Sequence, residues 1–191
     1  MCVPILTLSL PAAMMRMFYD QHEDNERARR QLISTVWRLS WMASLSLMVF
    51  CLTLGGPLLG FSIEARLFFG LVTPGAILIS FFNYLTRVQL DSRLYLINRV
   101  MESVGFVILL TFGAMLSSDE ATSLLSAPLP ALQWVILSWA FCLWSVIVVD
   151  WIYYRRREVL QRGLSLLEWP KIKALLRFSA PLSGTYFLGW L

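Results

Sequence analysis

The length and composition of the chain exclude a water-soluble globular domain. Of its 191 residues, 58% are hydrophobic and 15% are charged, and the mean hydropathy is +0.65. Soluble domains are about 45–50% apolar and about 25% charged. A soluble particle of this size cannot bury the excess, because its surface still has to carry polar and charged groups. The composition therefore indicates a membrane protein.

Four uncharged stretches form the main predicted elements, at residues 39–63, 67–86, 103–118 and 121–149. A helix needs about 20 residues to cross the hydrocarbon core, where every backbone polar group must be paired internally. The third stretch reaches that length if the charged turn before it belongs to the same helix. We predict an all-α, polytopic transmembrane helix bundle with full spans at residues 33–54, 67–86, 92–116 and 131–154.

Glycine and proline mark the expected breaks in these helices. Residues 55–57 (Gly-Gly-Pro) combine weak helix formers with a residue that lacks an amide hydrogen, so they predict an external turn. Residues 127–130 contain two prolines and predict another. Residues 74–75 (Pro-Gly) fall inside the second span, where we expect a kink whose freed carbonyl is satisfied by neighbouring helices.

Shorter apolar segments lie at the two ends of the chain. Residues 1–15 are uncharged but shorter than a full span, and residues 178–191 are still apolar where the sequence stops. A secretory signal is excluded for the first segment, because such a signal has basic residues before its apolar core and here Arg16 follows it. We expect partial apolar helices at both ends, in a chain cut from a longer membrane protein.

Basic residues are concentrated in alternate connecting segments. All 16 Lys and Arg residues except Arg66 lie before or near the beginning of the first span, between the end of the second span and the first turns of the third, or after the fourth. Positive residues are retained on the cytoplasmic side of a membrane. These three segments, including the basic link at residues 155–177, are therefore predicted to be cytoplasmic.

Several other classes of function are excluded by the remaining residues. Topology and lipid headgroups explain the net charge of +4, so nucleic-acid binding is not predicted. His22 lies in an acidic stretch typical of a solvated loop, and Cys2, Cys51 and Cys142 lack the spacing of a metal site or a disulfide framework. No phosphate loop, nucleophile elbow or His-Glu-x-x-His motif is present. We predict neither an enzyme nor a metal or cofactor site.

Three segments at helix ends carry a resemblance to a known family. They are LSLPAAMMRMFY at residues 8–19, NYLTRVQLDSRLY at residues 83–95 and KALLRFSAPL at residues 173–182. In order, spacing and orientation they resemble the end of helix two, the link between helices four and five, and the beginning of helix seven of Wzx-like lipopolysaccharide and O-antigen flippases. That family belongs to the multidrug/oligosaccharidyl-lipid/polysaccharide exporter superfamily.

The resemblance implies that the chain is part of one lobe of a two-lobed transporter. Such a transporter moves an undecaprenyl-diphosphate-linked oligosaccharide from the cytoplasmic to the outer leaflet of the bacterial inner membrane, by alternating access between the lobes. It implies the lipid bilayer and this lipid-linked oligosaccharide as partners, with other envelope polysaccharide-assembly proteins as further candidates. Without a second lobe, independent activity of these 191 residues is not expected.

Such a substrate needs cationic and polar groups at the membrane to receive its diphosphate, and charges within a membrane mark function. Asn98 and Glu102 are four residues apart and share a helix face, as do Asn83 and Arg87. The candidate substrate-binding residues are Arg38, Asn83, Arg87, Asn98, Arg99 and Glu102.

The alternative interpretation of these residues is purely topological. All of them lie near predicted cytoplasmic helix ends, where arginine extends to the interface and fixes the orientation of the helix. Asp150, which precedes the run Arg155 to Arg157, is predicted to be an interfacial counter-charge.

Two alternatives to a flippase remain open. A multidrug or other small-molecule exporter of the same superfamily would carry sodium- or proton-coupling carboxylates deep in the membrane, whereas the sequence places the carboxylates of this chain near helix ends. A non-transporting membrane protein is the other alternative, either a scaffold in an envelope-synthesis complex or an inactive truncated product.

Overall fold

The computed structural model describes residues 10–20, 26–116, 131–160 and 169–188. Within these ranges every regular element is helical, which confirms the predicted all-α fold. The helices are α1 (Leu10–Asp20), α2 (Glu26–Leu59), α3 (Ile63–Val88), α4 (Ser92–Leu116), α5 (Ala131–Arg156) and α6 (Trp169–Leu188).

Helices α2 to α5 are long and apolar enough to cross a membrane, as the four predicted spans require. They differ in how far they are enclosed by the protein. The apolar windows of α3 and α5 are 56% and 44% buried, whereas those of α2 and α4 are 17% and 11% buried. Helices α3 and α5 thus form the interior of the bundle, and α2 and α4 leave most of their apolar side chains for lipid.

Helices α2 and α3 run antiparallel, whereas α3 and α5 run parallel, as contacts near their ends show. The ring of Phe82, late in α3, lies 5.0 Å from that of Trp37, early in α2, and 6.0 Å from that of Tyr154, late in α5. At the other end of the bundle, Gln133 Nε2 donates to Glu64 Oε1 at 3.0 Å. The described basic residues near the beginning of α2, at the end of α3, near the beginning of α4 and at the end of α5 therefore share one end of the bundle, called the basic end below.

The turn predicted at residues 55–57 is wrong. Helix α2 passes through a π-helical segment, Phe50–Leu54, continues as Gly55–Leu59 and stops at Gly60, whose φ of 64° is left-handed. Pro57 lies in the first turn of this α segment, where a missing amide hydrogen is best tolerated. The second turn, predicted at residues 127–130, lies outside the described residues.

The two glycines in this segment make room for a side chain instead of ending the helix. A Cβ added to Gly56 would lie 2.7 Å from Arg66 Nη1, and one added to Gly55 would lie 3.5 Å from Arg66 Cγ. The arginine from the beginning of α3 therefore lies directly against the glycine surface of α2.

Helix α3 has irregular geometry at the predicted proline break. A π-helical segment, Phe68–Val72, comes directly before Pro74. Ser44 Oγ of α2 donates to the Pro74 carbonyl at 3.2 Å, and Trp144 Nε1 of α5 donates to the Leu71 carbonyl at 3.1 Å. Side chains of both neighbouring helices thus hydrogen-bond to the backbone around the proline, as transmembrane helices with such breaks require.

The short helices at the two ends pack against each other. Helix α1 contacts α2, α3 and α6, and Met14 of α1 and Leu175 of α6 are both fully buried. Helix α6 begins at Trp169, so the second half of the predicted basic link at residues 155–177 is helical. Residues 1–9 and 189–191, to which the predicted terminal segments extend, lie outside the described residues.

Candidate functional site

Two of the predicted residues meet around one tyrosine at the basic end. The Cζ atoms of Arg87, at the end of α3, and Arg99, in α4, lie 6.0 Å and 5.3 Å from the ring centroid of Tyr95. Arg99 Nε also donates to the Tyr95 hydroxyl at 3.3 Å. Guanidinium groups at this distance are attracted by the ring quadrupole, so the tyrosine holds two cations together that would otherwise repel. We call these three residues, together with Glu102, which pairs with Arg99, the Tyr95 cluster.

The sequence of the α3–α4 turn positions this cluster. Asp91 precedes α4 and accepts from the Leu94 amide at 3.3 Å, as an N-terminal helix cap does. Its other carboxylate oxygen accepts from the Tyr153 hydroxyl and, at 3.2 Å, from Arg157 Nη1. The turn is thereby fastened to the end of α5. Tyr95 and Arg99, one helical turn apart on α4, then come to lie beside Arg87.

The charges of the cluster remain accessible. Arg99 Nη1 pairs with Glu102 Oε2 at 3.1 Å, and the two side chains are 46% and 25% exposed. An exposed pair of this kind contributes about 0.2–1 kcal/mol, which is little enough for an anion to compete with the carboxylate. Two guanidinium groups against one carboxylate leave the cluster with an excess positive charge. Arg87, Asp91, Ser92 and Tyr95 also line a cleft of about 470 Å³ beside the turn.

Asn98 has a different environment from the cluster. It is 2% exposed, and its Nδ2 donates to both carboxylate oxygens of Asp150, at 2.8 and 2.9 Å. The interpretation of Asp150 as an interfacial counter-charge is therefore wrong: the residue is fully buried, and none of the described ion pairs includes it. Of the arginines that follow, Arg155 lies over the Trp151 ring and Arg157 pairs with Asp91.

The other two predicted residues lie outside the Tyr95 cluster. Asn83 is half-buried on α3, one turn before Arg87, and its backbone carbonyl accepts from Thr86 Oγ1 at 3.0 Å. Arg38 is half-buried on α2, whose main packing partners are α1 and α3, whereas α4 packs mainly on α3 and α5. Arg38 and Arg99 thus belong to helices without an extensive common interface.

Sequence reasoning missed the residues that organise both sites. Asp91 could have been found as an acidic residue directly before a predicted helix. Tyr95 could have been found from its four-residue spacing to Arg99, and Asp150 as a carboxylate with apolar residues on both sides. Tyr153 gives no such signal, because its partner Asp91 is 62 residues away in the sequence.

Other chemistry in the described part of the chain is limited. Cys51 and Cys142 are buried free thiols. The described residues contain no group of three or more His, Cys, Asp and Glu side chains that could hold a metal ion. Cys2 and His22 lie outside the described residues.

Comparison of the chain with models of protein families, with curated proteins and with solved structures gives no match. The interpretation of the site therefore depends on its geometry, on a fold with four helices able to span a membrane, and on the sequence resemblance of its helix ends.

Proposed function

We propose that the chain is part of a flippase that moves an undecaprenyl-diphosphate-linked oligosaccharide across the bacterial inner membrane during polysaccharide or lipopolysaccharide synthesis. The observation that carries this proposal is the Tyr95 cluster, in which Arg87 and Arg99 present accessible guanidinium groups at the end of a largely lipid-exposed helix. Guanidinium groups bind phosphate through two parallel hydrogen bonds, which suits them to a diphosphate.

The lipid part of such a substrate has a matching surface beside the cluster. An apolar cleft of about 440 Å³ lies between α4 and α5 and includes Val100, Val104, Ile108 and Phe141. It begins one residue after Arg99 and follows α4 to Leu109, a length of about 14 Å at 1.5 Å per residue. In the proposed complex, the diphosphate lies on the Tyr95 cluster and part of the polyprenyl chain lies in this cleft.

The side of the membrane also fits this role. Because positive residues are retained on the cytoplasmic side, we infer that the basic end faces the cytoplasm. Such a flippase takes its substrate from the cytoplasmic leaflet. In this proposal, the second lobe needed for alternating access is separate from the described helices and packs against the outside of the bundle. Any assembly proteins of the envelope would do the same.

The test measures binding of undecaprenyl diphosphate to the purified chain in lipid nanodiscs by native mass spectrometry. Replacing Arg99 with Ala removes a charge-assisted contact of about 1.5–3 kcal/mol, so the Kd should rise about ten- to a hundredfold. Arg99→Lys should retain part of the affinity, because it keeps the charge and loses only the planar fork.

Arg93→Ala is the matched control, since Arg93 is an exposed arginine in the first turn of the same helix and outside the cluster. It should bind as the wild type does. Equal Kd values for Arg99→Ala and Arg93→Ala would remove Arg99 from the proposed site and leave it as a topological anchor. Absence of binding by the wild type would favour the non-transporting alternative.

A small-molecule exporter is the second candidate, and the buried carboxyl group of Asp150 is the observation that favours it. An exporter of that kind would bind a hydrophobic cationic drug in nanodiscs, and Asp150→Asn would weaken that binding while Arg99→Ala left it unchanged. The flippase proposal predicts the opposite dependence for undecaprenyl diphosphate.

A further inference from the structure

The contact between Asn98 and Asp150 leaves one hydrogen-bonding atom unused. Both carboxylate oxygens of Asp150 accept from the same amide nitrogen, Asn98 Nδ2, at 2.8 and 2.9 Å. The amide oxygen, Asn98 Oδ1, is buried and has no hydrogen-bond donor among the described residues. Buried polar atoms are rarely left without a partner, because the lost hydration costs about 1–3 kcal/mol.

The pair is enclosed by protein, since Asp150 and Asn98 are 0% and 2% exposed. Asp150 is six residues before Arg156, the last residue of α5, which corresponds to about 9 Å along the helix. Around it, Val149 and Ile152 of α5 and Ile97 and Val100 of α4 are between 36% and 50% exposed, so apolar side chains face lipid at this depth. Water is therefore not a ready partner for the carboxyl group.

Among the described residues, no ion pair involves Asp150. Helix α5 packs mainly against α3 and α4. At this end of the bundle the charged residues of those two helices have partners elsewhere or are exposed: Arg99 pairs with Glu102, Arg87 lies over the rings of Tyr84 and Tyr95, and Arg93 is exposed. Glu64 and Arg66 lie at the opposite end. On α5 itself and just beyond it, the other titratable groups are Cys142, Tyr153, Tyr154, Arg155, Arg156, Arg157 and Glu158. Arg157 is paired with Asp91.

We propose that Asp150 and Asn98 form a proton-binding site, and that Asp150 is protonated while α4 and α5 are packed against each other as in this structure. With one proton added to a carboxylate oxygen, a small rotation of the amide allows Asp150 O–H to donate to Asn98 Oδ1. Asn98 Nδ2 continues to donate to the second carboxyl oxygen. The proton comes from water, no other bond changes, and both groups then have satisfied hydrogen bonds.

Release of this proton has a structural consequence. An ionised carboxylate that is buried without a cation costs several kcal/mol, so it requires water or a cation to reach the α4–α5 interface. The interface must then open next to Asp150. The proton-binding site is independent of the proposed function, because it requires nothing to bind at the Tyr95 cluster.

The experiment is infrared difference spectroscopy of the purified protein in nanodiscs during a pH titration in the presence of potassium as the only cation. The wild type should show the carbonyl stretch of a protonated carboxylic acid at neutral pH, and Asp150→Asn should lose it. Glu102→Gln is the control, since Glu102 is partly exposed and paired with Arg99, and it should retain the band.

A second variant keeps the test decisive if Asp150→Asn folds poorly. In Asn98→Ala the carboxyl group loses its amide partner, so the band should persist and move to the frequency of an acid with fewer hydrogen bonds. A wild-type spectrum without the band at neutral pH would overturn the proposal. It would equally be overturned if Asp150→Asn retained the band, because the protonated acid would then be another carboxyl group.

Discussion

Asn98 and Arg99 are consecutive residues of one helix and belong to two different sites. Asn98 is 2% exposed and bonded to a buried carboxyl group, whereas the Arg99 side chain is 46% exposed and belongs to a cluster of charged and aromatic groups. Successive residues of an α-helix are separated by about 100°, so one of the two faces α5 and the other faces the surface. A single helix can thus carry an interior site and an interfacial site at the same depth.

The two sites are also stabilised differently. The Tyr95 cluster consists of partly solvated ions whose individual contacts contribute little to folding and can be exchanged for contacts with a ligand. The Asn98–Asp150 pair consists of buried polar groups whose loss is expensive, because each is then left unpaired in hydrocarbon. The first arrangement suits binding of an external anion, and the second suits the coupling of a proton to helix packing.

The largest expected effect is a complete difference between the two ends of the bundle in their reaction with a membrane-impermeant thiol reagent. In a background without Cys2, Leu90→Cys at the basic end should react with a membrane-impermeant thiol reagent only after the cells are opened. Ser62→Cys at the other end should react in intact cells. Leu90 is 84% exposed and Ser62 is exposed, whereas the native Cys51 and Cys142 are 3% and 4% exposed and should not react.

This experiment decides which leaflet the Tyr95 cluster faces. Reaction of Leu90→Cys in intact cells would place the cluster on the outside, where a flippase releases its substrate instead of taking it up. The difference in burial between the two sites would be unaffected. The assignment of the cluster to substrate uptake would be wrong.

The spans were predictable because hydrocarbon thickness fixes the length of uncharged sequence that a helix needs. The end of α2 was not, because a π turn and packing against Arg66 decide whether a Gly-Gly-Pro run stays helical, and both depend on the neighbouring helix. Arg87 and Arg99 were predicted as site residues from the diphosphate that the family resemblance implies, and that role stays a prediction. Their grouping around Tyr95 required the docking of the α3–α4 turn by Asp91.

The role of Asp150 was hidden by the uniform composition of α5. Around Asp150 the helix is apolar on every side, with Val146 and Ile147 buried and Val148 and Val149 exposed. Hydrophobic periodicity therefore does not show which way the carboxyl group points. Only the packing of α4 against α5 distinguishes a buried partner of Asn98 from an interfacial counter-charge.

A smaller effect is expected on stability, because substitutions in the two sites should lower the free energy of unfolding by different amounts. Asn98→Ala should lower the free energy of unfolding by about 1–3 kcal/mol, because it leaves the Asp150 carboxyl group without its donor. Arg99→Ala should change it by at most about 1 kcal/mol, the upper limit for an exposed ion pair. Unfolding of the purified protein by a denaturing detergent, followed by tryptophan fluorescence, measures both. Equal losses would show that Arg99 is as important to packing as Asn98 and would break the comparison.

The smallest effect is expected at two adjacent tyrosines that border the two sites. The Tyr154 hydroxyl is buried without a hydrogen-bond partner among the described residues, while its ring stacks on Phe82 at 6.0 Å with an interplanar angle of 7°. Tyr154→Phe keeps the stacked ring and removes an unpaired polar group, so the free energy of unfolding should stay constant or rise by up to about 1 kcal/mol.

Tyr153→Phe is the matched control, since the Tyr153 hydroxyl donates to Asp91 and helps to fasten the α3–α4 turn to α5. The same chemical change there should lower the free energy of unfolding by about 1–2 kcal/mol, because it removes a hydrogen bond to a carboxylate. The same detergent titration measures both variants. A loss for Tyr154→Phe as large as that for Tyr153→Phe would mean that the Tyr154 hydroxyl has a partner in the membrane, such as a water molecule shared with Asp150. The proton-binding site would then include this hydroxyl as a third group.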